Sequence, residues 1–201
     1  MKLYCSARSP FARKVRVFAL ETGLASQIEE ISASLAGDDD AFLRHNPIGK
    51  IPALITDEGE TIVESRIILE YLDTLHPGPA MIASEGEARW AAFRQEALAD
   101  GVLDSSVSIL IETRRQLGKQ SSGFTRRLLD RIERCLQALN AEVKTFGDVI
   151  TVGQIATGCT CGYVDLRHPD LGWREDLPEL AAWYENFSKR PSMIATVPTP
   201  L

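Results

Sequence analysis

The sequence predicts an α/β domain followed by an all-α domain, and three observations lead there. The first 76 residues alternate short strand-like runs with helical patterns. His76-Pro77-Gly78-Pro79 then breaks the last of those helices. From about Ser84 onward only helical spacing recurs, at about 84–116, 124–145, 152–165 and 178–189. The expected organisation is an α/β domain over 1–76, a linker over 77–83 and a helical domain over 84–201. With 201 residues, 44% of them hydrophobic, the chain has enough apolar side chains to build a core in both parts.

Lys2 to Cys5 reads as a strand and Ser6-Ala7-Arg8-Ser9 as the turn after it. Pro10 sits where a helix tolerates proline best, in its first turn. Val15, Phe18 and Ala19 then share one helix face, with Arg13, Lys14 and Arg16 expected largely off it. Gly23 is the expected stop. Ile28 to Ile31 is a weaker strand. Gly37 and the acidic run Asp38-Asp39-Asp40 suggest a solvated loop or helix start, and a short helix through Phe42 and Leu43 ends before Asn46-Pro47. Ala53-Leu54-Ile55-Thr56 and Thr61-Ile62-Val63 flank the turn Asp57-Glu58-Gly59-Glu60 and read as a hairpin. Glu64-Ser65 opens a helix that faces Ile68, Leu69 and Leu72 inward. The order β-α-β-α-β-β-α is that of a thioredoxin-like domain with a four-stranded mixed sheet.

Composition narrows the function. A net charge of −6 leaves no basic excess to neutralise phosphates, which argues against nucleic acid as a partner. No apolar run approaches the ~20 residues that span a membrane, and the N-terminus lacks a signal peptide's apolar stretch. No membrane association is expected, and the cytoplasm is the expected compartment. Cys5, Cys135, Cys159 and Cys161 match neither a CxxC redox pair nor a zinc set. Cys159 and Cys161 would point in different directions on a helix. Reduced, partly buried thiols are expected, and no metal.

Three places can carry chemistry. Ser9 lies between a strand's end and a helix's start, where unpaired N–H groups and the helix dipole favour an anion. A thiol there ionises more easily, and a hydroxyl there can donate to a thiolate that a ligand brings. Taken alone, a serine in this position is more often a simple helix cap. Ile51-Pro52 lies between a loop and a buried strand, where a cis bond would expose the Ile51 main chain to an extended peptide. An ordinary trans proline at a strand's start is the alternative. At Glu64-Ser65 a helix begins directly after a strand. Its N–H groups and the serine hydroxyl suit a carboxylate, while Glu64 suits an ammonium. Alone, this too is only a cap.

Taken together, these stretches resemble the glutathione S-transferase superfamily, most closely its bacterial members with a serine before the Pro-Phe pair. The likeness is carried by Ser9-Pro10-Phe11-Ala12-Arg13-Lys14-Val15, by Asn46-Pro47-Ile48-Gly49-Lys50-Ile51-Pro52-Ala53-Leu54, and by Glu64-Ser65-Arg66-Ile67-Ile68-Leu69-Glu70-Tyr71-Leu72. The resemblance implies glutathione as co-substrate, a small electrophile as second substrate, a role in detoxification and a homodimer. It implies that Ser9 binds the sulfur, that the Ile51 main chain before Pro52 pairs with the cysteinyl portion, and that Lys50 reaches the glycyl carboxylate. Glu64 would then meet the γ-glutamyl ammonium and Ser65 its carboxylate, with Arg66 assisting or lying at the surface or dimer interface.

The second substrate is then expected between the first domain's turn and the helices near 90–115, where Ala97, Leu98, Val102, Leu103, Val107 and Leu110 offer apolar surface and Asp100-Gly101 is expected near the site. In the helical half, Thr151-Val152-Gly153-Gln154 matches the family's capping box, with glutamine where aspartate is usual. Gly158 and Gly162 fall on one face of that helix, where close packing is expected. Tyr4 falls inside the first strand, too early for the turn, and is expected to pack. Two other readings stay open. Cys5, at the strand's end, would make the protein a glutathione-dependent thiol reductase working through a mixed disulfide. A non-catalytic glutathione- or ligand-binding protein would share the same fold.

Overall fold

The computed structural model describes residues 1–33 and 40–198, without the side chains of residues 40 and 41. The expected loop at Gly37-Asp38-Asp39 lies outside the described residues. By its internal contacts the chain divides into two compact units, Met1–Ile82 with Pro191–Leu201, and Ala83–Arg190.

In the first unit, β1 (Lys2–Cys5), β2 (Glu29–Ser32), β3 (Ala53–Ile55) and β4 (Thr61–Val63) form one sheet in the order β2-β1-β3-β4. β2 runs parallel to β1, while β1–β3 and β3–β4 are antiparallel, so the four-stranded mixed sheet of a thioredoxin-like domain is present. The turn between β3 and β4 closes as expected, with the Thr56 amide donating to Glu60 O at 2.9 Å and Gly59 at φ 88°.

α1 (Pro10–Thr22) begins at its proline and ends at Gly23, whose left-handed φ of 77° lets its amide turn back to Leu20 O. α2 (Asp40–His45) is short, and α3 (Ser65–Asp73) buries Ile68, Leu69 and Leu72 completely. Val15, Phe18 and Ala19 are buried as expected. Arg13 and Lys14 are not solvated: they are 3% and 0% exposed. The reason for Arg13 is the C-terminal segment, which returns to pack α9 (Pro191–Ala195) on α1. Met193 O and Thr196 Oγ1 accept from the Arg13 guanidinium at 3.1 and 3.3 Å. The tail, which sequence spacing assigns to the helical half, thus belongs by its contacts to the first unit.

The second unit contains helices and no strand among its described residues. α4 (Gly86–Thr113), α5 (Ser122–Glu142), α6 (Val152–Arg167), α7 (Trp173–Asp176) and α8 (Pro178–Phe187) surround a core that includes Val102, Leu103, Ile132, Leu136, Leu139, Ile155 and Leu180, all 0% exposed. The capping box of α6 is formed, with the Gln154 amide donating to Thr151 Oγ1 at 3.3 Å and the Thr151 amide to Gln154 Oε1 at 2.9 Å. Glutamine adds a bond that aspartate could not make, because its side-chain NH₂ also donates to Gly147 O at 2.8 Å. Among the described residues no helix is long and apolar enough to cross a membrane.

Candidate functional site at the end of the sheet

Strand direction brings the three motifs to one place. Tyr4 and Val63 both lie opposite Ala53, so the three form one row across β1, β3 and β4. Because β1 and β4 run antiparallel to β3, this row marks the outgoing ends of two strands and the incoming end of the third. The turn to Ser9, the Ile51-Pro52 entry and the Glu64-Ser65 exit therefore leave the sheet on the same side. α1 and α3 both start there, and two helix N-termini make that end attractive to anions.

Ser9 is the N-cap of α1, in extended conformation at φ −82° and ψ 120°. Its Oγ accepts from the Ala12 amide at 3.2 Å, and this bond leaves the hydroxyl hydrogen to donate elsewhere. Ser9 is half-buried, so that hydrogen is not lost to bulk water on all sides.

The Ile51-Pro52 bond is cis. Ile51 is 7% exposed and packs with Phe42, Ala53 and Ala33, while Lys50 before it is exposed. The loop into this bond is organised by a residue to which the sequence reading gave no role of its own. Asn46, 1% exposed, donates from Nδ2 to Lys50 O at 2.6 Å, and its Oδ1 accepts from the Ile48 amide at 3.1 Å. The Asn-Pro pair was the available signal, since asparagine builds such local turns.

Glu64 has φ 70° and ψ 123°, the one non-glycine residue with positive φ among those described. Its carbonyl accepts the Ile68 amide at 3.0 Å, starting α3, but its side chain makes no capping bond. The first amides of α3 therefore lack a side-chain cap and can serve a bound carboxylate. Ser65 beside them is 4% exposed. Arg66 is exposed and lies 3.8 Å from Glu70 along the outer helix face.

Cys5 is differently placed. It is 4% exposed, and its thiol donates to Glu30 Oε2 at 3.8 Å. Burial first, then the Glu30 carboxylate, push its pKa from 9.0 up to about 11 despite the Arg16 guanidinium nearby. At neutral pH such a thiol is protonated and a poor nucleophile. Tyr4 packs its ring on Phe42 at 5.1 Å and His45 at 6.4 Å. Burial also raises the pKa of Cys161 and Cys135, and no disulfide links any of the four cysteines.

Of the apolar residues singled out on α4, Val102 and Leu103 are core; Leu98, Val107 and Leu110 are half-buried, and Ala97 is exposed. A cavity of about 210 Å³ in the first unit is lined by Leu3, Arg16, Ile28, Ala195 and Thr196 among others, and by none of Ser9, Ile51 or Ser65. Among the described residues no group of three or more His, Cys, Asp or Glu side chains can hold a metal ion.

Comparison with known proteins finds the same fold in relatives crystallised with a ligand. Residues 3–80 match the model for the glutathione S-transferase N-terminal domain, and residues 114–186 that for its C-terminal domain. The chain is 34% identical over 203 residues to the GST-like protein YibF of Escherichia coli K12, covering 98% of both. It is 40% identical to a glutathione transferase family member from Pseudomonas fluorescens Pf-5, crystallised with bound glutathione, at a TM-score of 0.95 over 98% of each chain. A glutathione S-transferase from Methylobacillus flagellatus KT with glutathione bound is 37% identical, at a TM-score of 0.88 over 98% of this chain and 99% of that one. By both domains and by full-length similarity, the chain belongs to the glutathione S-transferase family.

Proposed function

We propose that this protein is a glutathione transferase that activates the thiol of glutathione as a thiolate and directs it at a small, apolar electrophile. The observation that carries this reading is the common sheet end shared by the half-buried Ser9 hydroxyl and the uncapped start of α3. Extended glutathione has its sulfur in the middle and, because of its γ-glutamyl linkage, a carboxylate at each end. In this reading Ser65 and the first amides of α3 hold the γ-glutamyl carboxylate, and Glu64 accepts from its ammonium. The main chain of Ile51, before Pro52, pairs with the cysteinyl unit, and Lys50 meets the glycyl carboxylate.

Ser9 then donates its free hydrogen to the sulfur. A free thiol titrates near pH 8.5, and each unit of depression needs about 1.4 kcal/mol of preference for the anion. One hydrogen bond to a charged acceptor plus a helix N-terminus is of the right size for one to two units. The S–H proton leaves to bulk water. The sulfur lone pair forms a C–S bond with the electrophilic carbon, and a leaving group departs with its bonding electrons. For an activated alkene, the carbanion instead takes a proton from water.

The test pairs calorimetry of glutathione at millimolar concentration with conjugation assays across halogenated aromatic and activated-alkene substrates. Binding with turnover, strongly reduced in Ser9→Ala, is expected. Binding without turnover on any electrophile would favour a ligand-binding role instead. Loss of activity on Cys5→Ala alone would move the chemistry to a thiol reductase. A homodimer is proposed on family membership, and sedimentation equilibrium decides it.

A further inference from the structure

We propose that the C-terminal segment holds the sulfur-binding end of α1 in place, with Arg13 as a positioning residue for Ser9; this rests on the function proposed above. Arg13 joins the two. Its main-chain amide donates to Ser9 O at 3.0 Å, the opening hydrogen bond of α1. Its buried guanidinium donates to Met193 O at 3.1 Å and to Thr196 Oγ1 at 3.3 Å, 180 and 183 residues away.

The grip is double. At the other end of α1, Ser192 Oγ donates to the Glu21 carboxylate. Within the tail, Thr196 Oγ1 donates to Ser192 O at 2.8 Å, so the two gripping residues are themselves tied together. Ser192, Met193 and Thr196 are 4%, 1% and 1% exposed. A five-residue helix does not persist alone in water, so α9 is helical because it is docked. A buried guanidinium is stable only while its acceptors stay in place. Removing the tail therefore leaves Arg13 unpaired one turn beyond the cap, and α1 relaxes to resolvate it.

The consequence falls on Ser9. A hydrogen bond to a thiolate depends steeply on distance and angle, and a displacement of 1 Å at a reacting group costs on the order of 10²-fold in rate. The tail thereby sets how well the bound thiol ionises without touching the ligand.

The experiment compares wild type, Arg13→Met, Arg13→Lys and the milder Thr196→Val, each also in a Ser9→Ala background. The readouts are the pH profile of kcat/KM and the ultraviolet titration of the bound thiol, on folded protein isolated by gel filtration. Arg13→Met is expected to move the thiol titration upward and to lower kcat/KM at least ~10-fold at pH 7, with recovery at higher pH. Arg13→Lys restores part of this, and Thr196→Val shows a smaller shift in the same direction. In the Ser9→Ala background the Arg13 substitution should have little further effect, because the residue it positions is gone. An unchanged pH profile in both Arg13→Met and Thr196→Val overturns the proposal, as does an undiminished Arg13 effect without Ser9. If Arg13→Met does not fold, Thr196→Val decides alone. A wild type that does not bind glutathione removes the functional reading itself, and the positioning role with it.

Discussion

Ala53 and Val63 face each other across the β3–β4 ladder, so cis Pro52 and the strained Glu64 stand side by side where those strands meet the loops. The strain at Glu64 is confined to one residue and sits at the sheet end to which the proposed function assigns glutathione. A non-glycine residue at such φ and ψ costs of the order of 1–3 kcal/mol, and glycine adopts them freely. Glu64→Gly should therefore stabilise the fold by about 1 kcal/mol after the extra chain entropy of glycine is subtracted. The same change removes the carboxylate assigned to the γ-glutamyl ammonium and should weaken glutathione binding tenfold or more, on the ~1.5–3 kcal/mol of a charged hydrogen bond. Thermal melts and calorimetry on one preparation check both. A variant that is less stable would refute the strain argument, and one that binds equally well would refute the contact.

The sequence made these positions readable because they are set by local rules. Pro10 starts α1, Gly23 stops it, and Gly59 closes the hairpin; each follows from backbone constraints within a few residues. The capping box at Thr151 and Gln154 is similarly local. What sequence spacing missed is long-range. Arg13 and Lys14 read as solvated because charge normally is, and nothing near position 13 announces a tail 180 residues later. α7 and α9, with four and five residues, are too short to leave a periodic pattern. Asn46 was visible as a turn residue, but its bond to Lys50 O emerges only when the loop closes on itself.

Cys5 gives a pH dependence with a definite sign. Below pH 9 its thiol is protonated in both folded and unfolded chains, so it adds no slope. Between 9.0 and about 11 the unfolded chain releases the proton while the folded one retains it, so stability falls as pH rises through that window. Cys5→Ala should flatten this alkaline loss relative to wild type in urea titrations at pH 8 and pH 10.5. In native protein the thiol should also react slowly with alkylating reagents at pH 7.5. Rapid modification of Cys5 under native conditions would contradict its burial.

Glu112 sets the opposite limb. The Ser121 amide donates to its carboxylate at 2.7 Å, and Arg115 lies 3.1 Å away. These contacts, the Ser121 N–H foremost, hold its carboxyl below the usual value of 4.5. Its contribution is complete above the unfolded pKa and is lost as pH falls through the folded one. Glu112→Gln should remove that part of the acid dependence and speed hydrogen exchange at the Ser121 amide, where α5 begins. Exchange at Ser121 that is unaltered in Glu112→Gln would mean the carboxylate does not secure this turn.

Gly153 marks a close approach of α6 to α4. A Cβ there would lie 2.5 Å from Gln95 Oε1, 2.8 Å from Gln95 Cβ and 2.8 Å from the main-chain carbonyl oxygen of Ala92. The Gln95 amide end can swing aside, at the cost of its 3.3 Å bond to Glu142, but its Cβ is fixed to the helix backbone. The Ala92 carbonyl belongs to a long helix and cannot. Alanine's better helix propensity is worth ~1 kcal/mol, whereas forcing extra volume into such a contact costs about 1–3 kcal/mol. Gly153→Ala should therefore be net destabilising and lower the melting temperature by a few degrees, at about 2–4 °C per kcal/mol for a chain of this size. Gly123→Ala is the matched control: a Cβ at Gly123 meets only the far end of Arg127, at 4.0 Å, and propensity alone should then raise the melting point. If both substitutions stabilise, the α4–α6 contact is looser than these distances require.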